Sequence, residues 1–144
     1  VEGLELQAVG YSKKMASGPG MMRDVAATEG RARLAGEFST DVASRMARVT
    51  KDSTVNGENT NSDVSERVQK TLAAMTLQRA RVYRTQFSPA GNLYLLVGLD
   101  KDAYNMNVES VAKSAIGEDS PALYQKFLAD EADKSLDGIQ KNMN

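Results

Sequence analysis

Asp100 and Asp102 are the residues of this chain that most resemble a catalytic or metal-binding pair. They follow the most apolar segment, Leu93–Leu99 (LYLLVGL), and a buried strand that ends in Asp often supplies a carboxylate to Mg²⁺ in phosphate chemistry. Such sites normally include a phosphate-binding loop, and the P-loop pattern G-x-x-x-x-G-K-[ST] does not occur in the sequence. We therefore favour a simpler role, in which Asp100 is the N-cap of the helix that follows. A small carboxylate- and metal-dependent enzyme or ligand-binding domain is the alternative.

The composition limits other kinds of chemistry. The 144 residues contain no His and no Cys, which excludes zinc sites built from those residues, thiol nucleophiles and every triad that uses imidazole. The chain has 18 Lys and Arg against 19 Asp and Glu, so a general affinity for nucleic acid is not expected. We predict a protein that is not an enzyme and has no catalytic residues, metal or cofactor.

A calcium-binding loop is a further candidate. Asp52–Asp63 has an acid at position 1, Asn at position 5, Gly at position 6 and an acid at position 12, as an EF-hand loop does. Thr54 at position 3 and Asp63 in place of Glu depart from that pattern, and a strand is predicted before the loop. A solvated loop is favoured.

Apolar periodicity predicts the first elements of the fold. Leu4–Tyr11 alternates apolar and polar residues, as a half-buried strand does. After a glycine- and proline-rich break, a helix is predicted over Met21–Phe38. Within Asp41–Val55 we favour a strand over Thr50–Val55, because that stretch is rich in β-branched residues. The competing helical stripe consists of Val42, Met46 and Val49.

The second half of the chain shows clearer element boundaries, because its turns contain Pro, Gly and capping residues. The predicted elements are a polar loop (Asn56–Asn61), a helix capped by Ser62 or Asp63, a strand (Leu77–Phe87), a hairpin turn (Ser88–Gly91), the apolar strand, a helix from Asp100 to Ile116, and a last helix from Ser120 to Lys141.

This order, β-α-β-α-β-β-α with an extra C-terminal helix, is typical of an α+β fold with a small, largely antiparallel sheet and helices packed on one face. We predict an α+β domain over residues 1–116 and a C-terminal amphipathic helical extension over residues 117–144.

Several side chains are candidates for contact with a partner. Tyr94 and Leu96 alternate with the core positions of the apolar strand, so that strand is either covered on both faces or presents its second face to a partner. Arg79, Arg81 and Arg84 form a basic patch on the predicted strand before it. The patch either binds an acidic partner or phosphate, or protects a sheet edge from aggregation.

The C-terminal extension is a second candidate contact surface. It contains six acids and three lysines, and its apolar stripe either packs on its own domain or reaches a neighbouring protein. The residues of this stripe are Tyr124, Leu128, Ala132, Leu136 and Ile139.

Parts of the sequence resemble the Lpp-twenty family of bacterial outer-membrane lipoproteins. Leu95–Lys101 (LLVGLDK) is similar to the closing strand of that family, and the Ala-rich segment Val25–Gly36 resembles its first helix. The helix and strand around Asp63–Val82 add to the resemblance, which covers roughly residues 4–115.

The resemblance implies a non-enzymatic lipoprotein domain of the cell envelope, anchored to the outer membrane and facing the periplasm or the cell surface. The anchor would be a lipidated cysteine upstream of Val1, and it would be the only link to the membrane. Protein partners or self-association into a homo-oligomer would carry the function, with flagellum-associated assemblies as an extension. The family offers no residues with an assigned chemical role.

Overall fold

The computed structural model describes residues 3–52, 58–117 and 121–129. This part of the chain has an α+β fold with a three-stranded antiparallel sheet and helices that pack against it. The elements are β1 (Leu4–Ser12), α1 (Pro19–Asp52), α2 (Glu58–Ala74), β2 (Arg81–Phe87), β3 (Leu93–Asp100), α3 (Lys101–Ala115) and a helix, α4, over residues 121–129. The predicted fold class is confirmed.

The sheet has the strand order β1-β3-β2, so the apolar strand is the central one. Its inward side chains (Leu93, Leu95, Val97 and Leu99) are fully buried. Met22 and Ala26 of α1 pack on the first two of them. Alternation along the strand thus placed the core face correctly.

The contact between α1 and the sheet depends on glycine. A Cβ atom added to Gly10 of β1 would overlap the carbonyl oxygen of Ala26 and lie 2.6 Å from the backbone nitrogen of Gly30. A Cβ atom on Gly30 would lie 2.7 Å from a methyl group of Val97. The helix backbone therefore approaches the strand more closely than any larger residue would allow.

The hairpin between β2 and β3 has the predicted turn. The Gly91 N–H donates a hydrogen bond to the Ser88 carbonyl at 2.9 Å, and Gly91 has a φ of 89°. Pro89 occupies the second position of the turn, where its fixed φ is favourable. Asn92 links the turn to the segment that follows β1, because its side-chain oxygen accepts a hydrogen bond from the Lys14 N–H at 2.9 Å.

The predicted strand over Thr50–Val55 is wrong as far as the structure describes it. Helix α1 is 34 residues long and continues through Asp52, and residues 53–57 lie outside the described part of the chain. The helical stripe explains the difference, because Val42, Met46 and Val49 are all buried and continue the face begun by Leu34 and Phe38.

Two further boundaries differ from the predictions. Helix α2 begins at Glu58, so the last four residues of the predicted polar loop are helical and Ser62 and Asp63 lie inside the helix. Strand β2 begins at Arg81, later than the predicted Leu77. Arg79 precedes it with a φ of 62°, a left-handed conformation that a regular strand does not contain.

The chain divides into two compact units. The first consists of Val1–Thr40 and Thr76–Asn107 and contains the sheet. Its core includes an edge-to-face contact between Phe38 and Tyr104, whose ring centroids are 5.9 Å apart.

The second unit consists of Asp41–Met75 and Val108–Asn144. Its core includes Val64 and Val68 of α2. Phe127 of α4 is fully buried, and the guanidinium carbon of Arg45 lies 5.5 Å from the centre of its ring. Burial of Phe127 and this cation–π contact both show α4 packed against its own chain.

Candidate interaction surface on the sheet

Asp100 lies where β3 meets α3, and it caps the helix. Its Oδ1 accepts a hydrogen bond from the Ala103 N–H at 2.7 Å, three residues along the chain. This is the geometry of an N-cap residue that satisfies one of the unpaired N–H groups of the first helical turn. Asp102 is exposed in that turn, where its charge also complements the helix dipole.

Acidic side chains elsewhere in the described ranges do not form a metal site, because no cluster of three or more Asp and Glu residues there has a geometry that could hold an ion. The first half of the calcium-loop candidate lies largely outside those ranges, and its second half belongs to α2. The observed contact of Asp100 is the hydrogen bond that caps α3.

The face of the sheet opposite α1 carries an apolar strip, which we call the outer sheet face. It consists of Val9 and Tyr11 of β1 with Tyr94 and Leu96 of β3. Tyr11 pairs with Tyr94 and Val9 pairs with Leu96 across the two strands, so the four side chains form a block. The two tyrosine rings are in contact, with centroids 5.1 Å apart.

This block is only partly covered by the rest of the described chain. Val9 is 46% exposed and Tyr94 is 41% exposed, while Tyr11 and Leu96 are half-buried. On an antiparallel sheet with one face in water, the side chains of that face are usually polar, including those at its centre. Here the centre is apolar and aromatic, which is the pattern expected of a contact surface.

Basic residues of β2 line one margin of the outer sheet face. The register pairs Arg84 with Leu96 and Arg81 with Gly98, so both arginines lie on the same side of the sheet as the apolar block. Both are exposed. The structure therefore places Arg81 on the same sheet face as the predicted Tyr94 and Leu96.

The charge of this face is one-sided. Among the outward positions of the central part of the sheet there are two arginines and no carboxylate; Glu5, the single acid of β1, lies at the strand irregularity beyond them. The outward positions are Gln7, Val9, Tyr11, Arg81, Arg84, Gln86, Tyr94, Leu96 and Gly98.

Arg79 does not belong to this margin by strand register. It lies in the segment between α2 and β2, next to a buried clamp formed by Asn107 of α3. The Asn107 side chain accepts a hydrogen bond from the Gln78 N–H at 2.9 Å and donates one to the Gln78 carbonyl at 3.0 Å. These two hydrogen bonds fix the backbone at Gln78, just before the chain turns at Arg79 and enters β2.

The predicted C-terminal stripe is placed differently by the structure. In α4 the buried residues are Leu123 and Phe127, one position before Tyr124 and Leu128, which are half-buried. Tyr124 instead lines an open cleft of about 530 Å³ together with Lys113 and Gln125. Leu136 lies outside the described residues.

Val9 and Tyr11 were not identified from the sequence, although the signal was available. Both alternate with the inward residues of β1, and the apolar outward positions of β3 predict apolar neighbours on the adjacent strand. What the sequence lacked was the strand order, which depends on contacts between distant segments.

Comparison with models of known protein families finds none that matches this chain, and comparison with curated proteins finds no relative. The resemblance to the Lpp-twenty family therefore stays a prediction. Within the part of the chain that the structure describes, no helix combines the length and apolarity needed to cross a membrane.

Proposed function

We propose that this chain is a non-enzymatic domain of a cell-envelope lipoprotein that works through contacts with other proteins. Its anchor would be a lipidated cysteine upstream of Val1, and its location the outer membrane. Flagellum-associated assemblies are one setting for such a domain. The proposal combines the Lpp-twenty resemblance with the observed surface of the sheet.

The observation that carries the proposal is the apolar centre of the outer sheet face. Tyr94 and Leu96 stand beside Tyr11 and Val9 on a face that the described part of the chain leaves partly exposed. Aromatic residues at the centre of a patch and arginines at its margin are enriched at protein interfaces. Asp100, the best candidate for a catalytic acid, is instead engaged as a helix cap.

The segments that carry the family resemblance include this same region. Leu95–Lys101 covers the end of β3 and the cap of α3, and Val25–Gly36 lies within α1. Both segments contribute to packing between helix and sheet, which is consistent with a resemblance that is structural rather than catalytic.

Site-specific photocrosslinking in the native cell tests the proposal. A photoreactive amino acid in place of Val9 would report on the outer sheet face, and the same group in place of Arg31, an exposed residue of α1, serves as the control. We expect crosslinks to protein at Val9 and not at Arg31. Absence of any Val9 crosslink, or equal crosslinking at both positions, would contradict the proposal.

Anchoring needs a separate measurement on the protein made from its natural gene. Metabolic labelling with an alkyne fatty acid, followed by separation of the envelope fractions, should place labelled protein in the outer membrane. Unlabelled protein, or protein found only in the cytosolic fraction, would refute the localisation. The crosslinking experiment would then still test protein contact at the outer sheet face.

A further inference from the structure

The dimensions of the outer sheet face indicate the shape of its partner. Three strands spaced by about 4.8 Å span roughly 10 Å between the outer two, which is about the diameter of one α-helix with its side chains. Strand β3 has eight residues, or about 27 Å, a length matched by a helix of about 18 residues. The opposite face of the same sheet is already covered in this way by α1.

The charges of the face indicate the chemistry of the partner. Arg84 stands beside Leu96 and Arg81 beside Gly98, along one margin only. Among the described residues, no ion pair involves either arginine. The other margin carries the neutral Gln7 beside Gly98, with Glu5 two positions farther along β1 at the strand irregularity. A helix lying along β3 would therefore meet apolar side chains beneath it and two cations on one side.

We propose that the outer sheet face binds an amphipathic α-helix of a protein partner, with the apolar stripe of that helix on Tyr94, Leu96, Val9 and Tyr11 and with acidic residues beside Arg81 and Arg84. This inference rests on the proposed function, because it names the partner of the same surface. It adds the element, its orientation along the strands and the sign of its charge.

A second copy of this chain fits less well than such a helix. If two outer sheet faces met around a two-fold axis parallel to the strands, β2 of one copy would lie over β1 of the other. The arginines would then face Gln7 and Val9, which offer no carboxylate. Apart from Glu5, two positions beyond Gln7, the facing strand offers no carboxylate to offset the desolvation of these arginines, whereas a helix with an acidic margin supplies a charge beside each of them.

A displayed library of amphipathic helices tests the inference directly, because the selection itself reveals which helices the face binds. Each member would have about 18 residues, a constant leucine stripe, and flanking positions randomised among Glu, Lys, Gln and Ser. The whole chain is the target of the selection. Helices that also bind a Tyr94→Thr/Leu96→Thr double variant are removed. We expect Glu to be enriched over Lys on one flank of the stripe.

Charge reversal is the decisive comparison. Against an Arg81→Glu/Arg84→Glu variant the preference should invert to Lys, while Arg31→Glu, a reversal elsewhere on the surface, should leave the enrichment of Glu unchanged. The best Glu-flanked peptide should bind the reversed variant roughly tenfold more weakly than the wild-type chain. Far-ultraviolet circular dichroism would verify that each variant is folded.

Other outcomes overturn the inference in different ways. Selection of no binder that depends on Tyr94 and Leu96 would refute a helix-binding surface, even if Val9 crosslinks to protein in cells. Binding of vesicles with 30% anionic lipid, lost on reversal of Arg81 and Arg84, would identify a membrane contact. A stable dimer in sedimentation analysis, lost in the Tyr94→Thr/Leu96→Thr variant, would identify a second copy as the occupant.

Discussion

The same substitution, Gly→Ala, should have opposite effects at two positions of this fold. Gly36 lies in α1, and a Cβ atom added there would meet no heavy atom within 4 Å. Gly10 lies in β1, where the added atom would overlap the carbonyl oxygen of Ala26 and approach the Gly30 nitrogen at 2.6 Å. Because both obstacles are backbone atoms of a packed helix, no side-chain rotation can relieve the overlap.

The expected magnitudes follow from these surroundings. Gly36→Ala should stabilise the fold by about 1 kcal/mol, the difference in helix propensity between the two residues. Gly10→Ala gains no helix propensity and should cost about 3 kcal/mol or more, since α1 must move away from the sheet. Gly30→Ala combines both effects, a gain of about 1 kcal/mol and an overpacking cost of about 1–3 kcal/mol against Val97.

Urea unfolding followed by circular dichroism measures these free energies directly. We expect the unfolding midpoint to rise for Gly36→Ala, to fall steeply for Gly10→Ala, and to change little or fall moderately for Gly30→Ala. If Gly10→Ala and Gly36→Ala shift the midpoint in the same direction, α1 does not lie as close to β1 as we describe. The Gly36 variant is the matched control, because it changes the same chemical group without a contact.

Three further substitutions test the roles assigned to single side chains. Asp100→Ala should cost about 1 kcal/mol of folding free energy and lower the melting temperature by about 2–4 °C. Asp100→Asn should be nearly neutral, because Asn is an equally good N-cap. A melting temperature that rises with Mg²⁺, Mn²⁺ or Ca²⁺ in the wild type alone would instead reveal a metal site. Asn107→Ala should cost about 2 kcal/mol in chemical denaturation through loss of the clamp on Gln78, and a neutral result would exclude that clamp as a stabilising element. Phe127→Ala should cost about 3–5 kcal/mol, and an effect below about 1 kcal/mol in the same assay would show that α4 does not pack on its own chain.

The second half of the fold could be predicted because its signals are local. Pro89 and Gly91 specify a turn through their own backbone preferences, and Asp100 specifies a helix start through a hydrogen bond to a residue three positions away. The alternation of β3 is a local pattern as well. These features do not depend on what the rest of the chain does.

The strand predicted at the end of α1 is wrong because a short stretch of residues was considered apart from the longer helical pattern before it. Thr50–Val55 is rich in β-branched residues, which suit a strand, but Val42, Met46 and Val49 bury a helical face that continues from Phe38. Burial of that face outweighs the weak intrinsic preference of a few β-branched residues. The start of α2 at Glu58 shows the same limit of local propensity.

The candidate surface was predicted in part. Tyr94 and Leu96 could be assigned to the second face of β3 from alternation alone, and Arg81 to the neighbouring strand. Their neighbours Val9 and Tyr11 come from a strand more than 80 positions away, and only the register of β1 with β3 brings them together. Alternation within β1 indicates which of its residues share a face, but it does not indicate which strand lies beside β1.

Whether the sheet face or Asp100 carries the function can be decided by comparing Asp100→Asn with Tyr94→Thr/Leu96→Thr in the Val9 crosslinking assay. If the sheet face is the working surface and Asp100 only a cap, the Asp100→Asn protein keeps the wild-type level of crosslinked partner and the face variant loses it. Loss of the complex in Asp100→Asn, with retention in a folded face variant, would show that the carboxylate and not the apolar face carries the function.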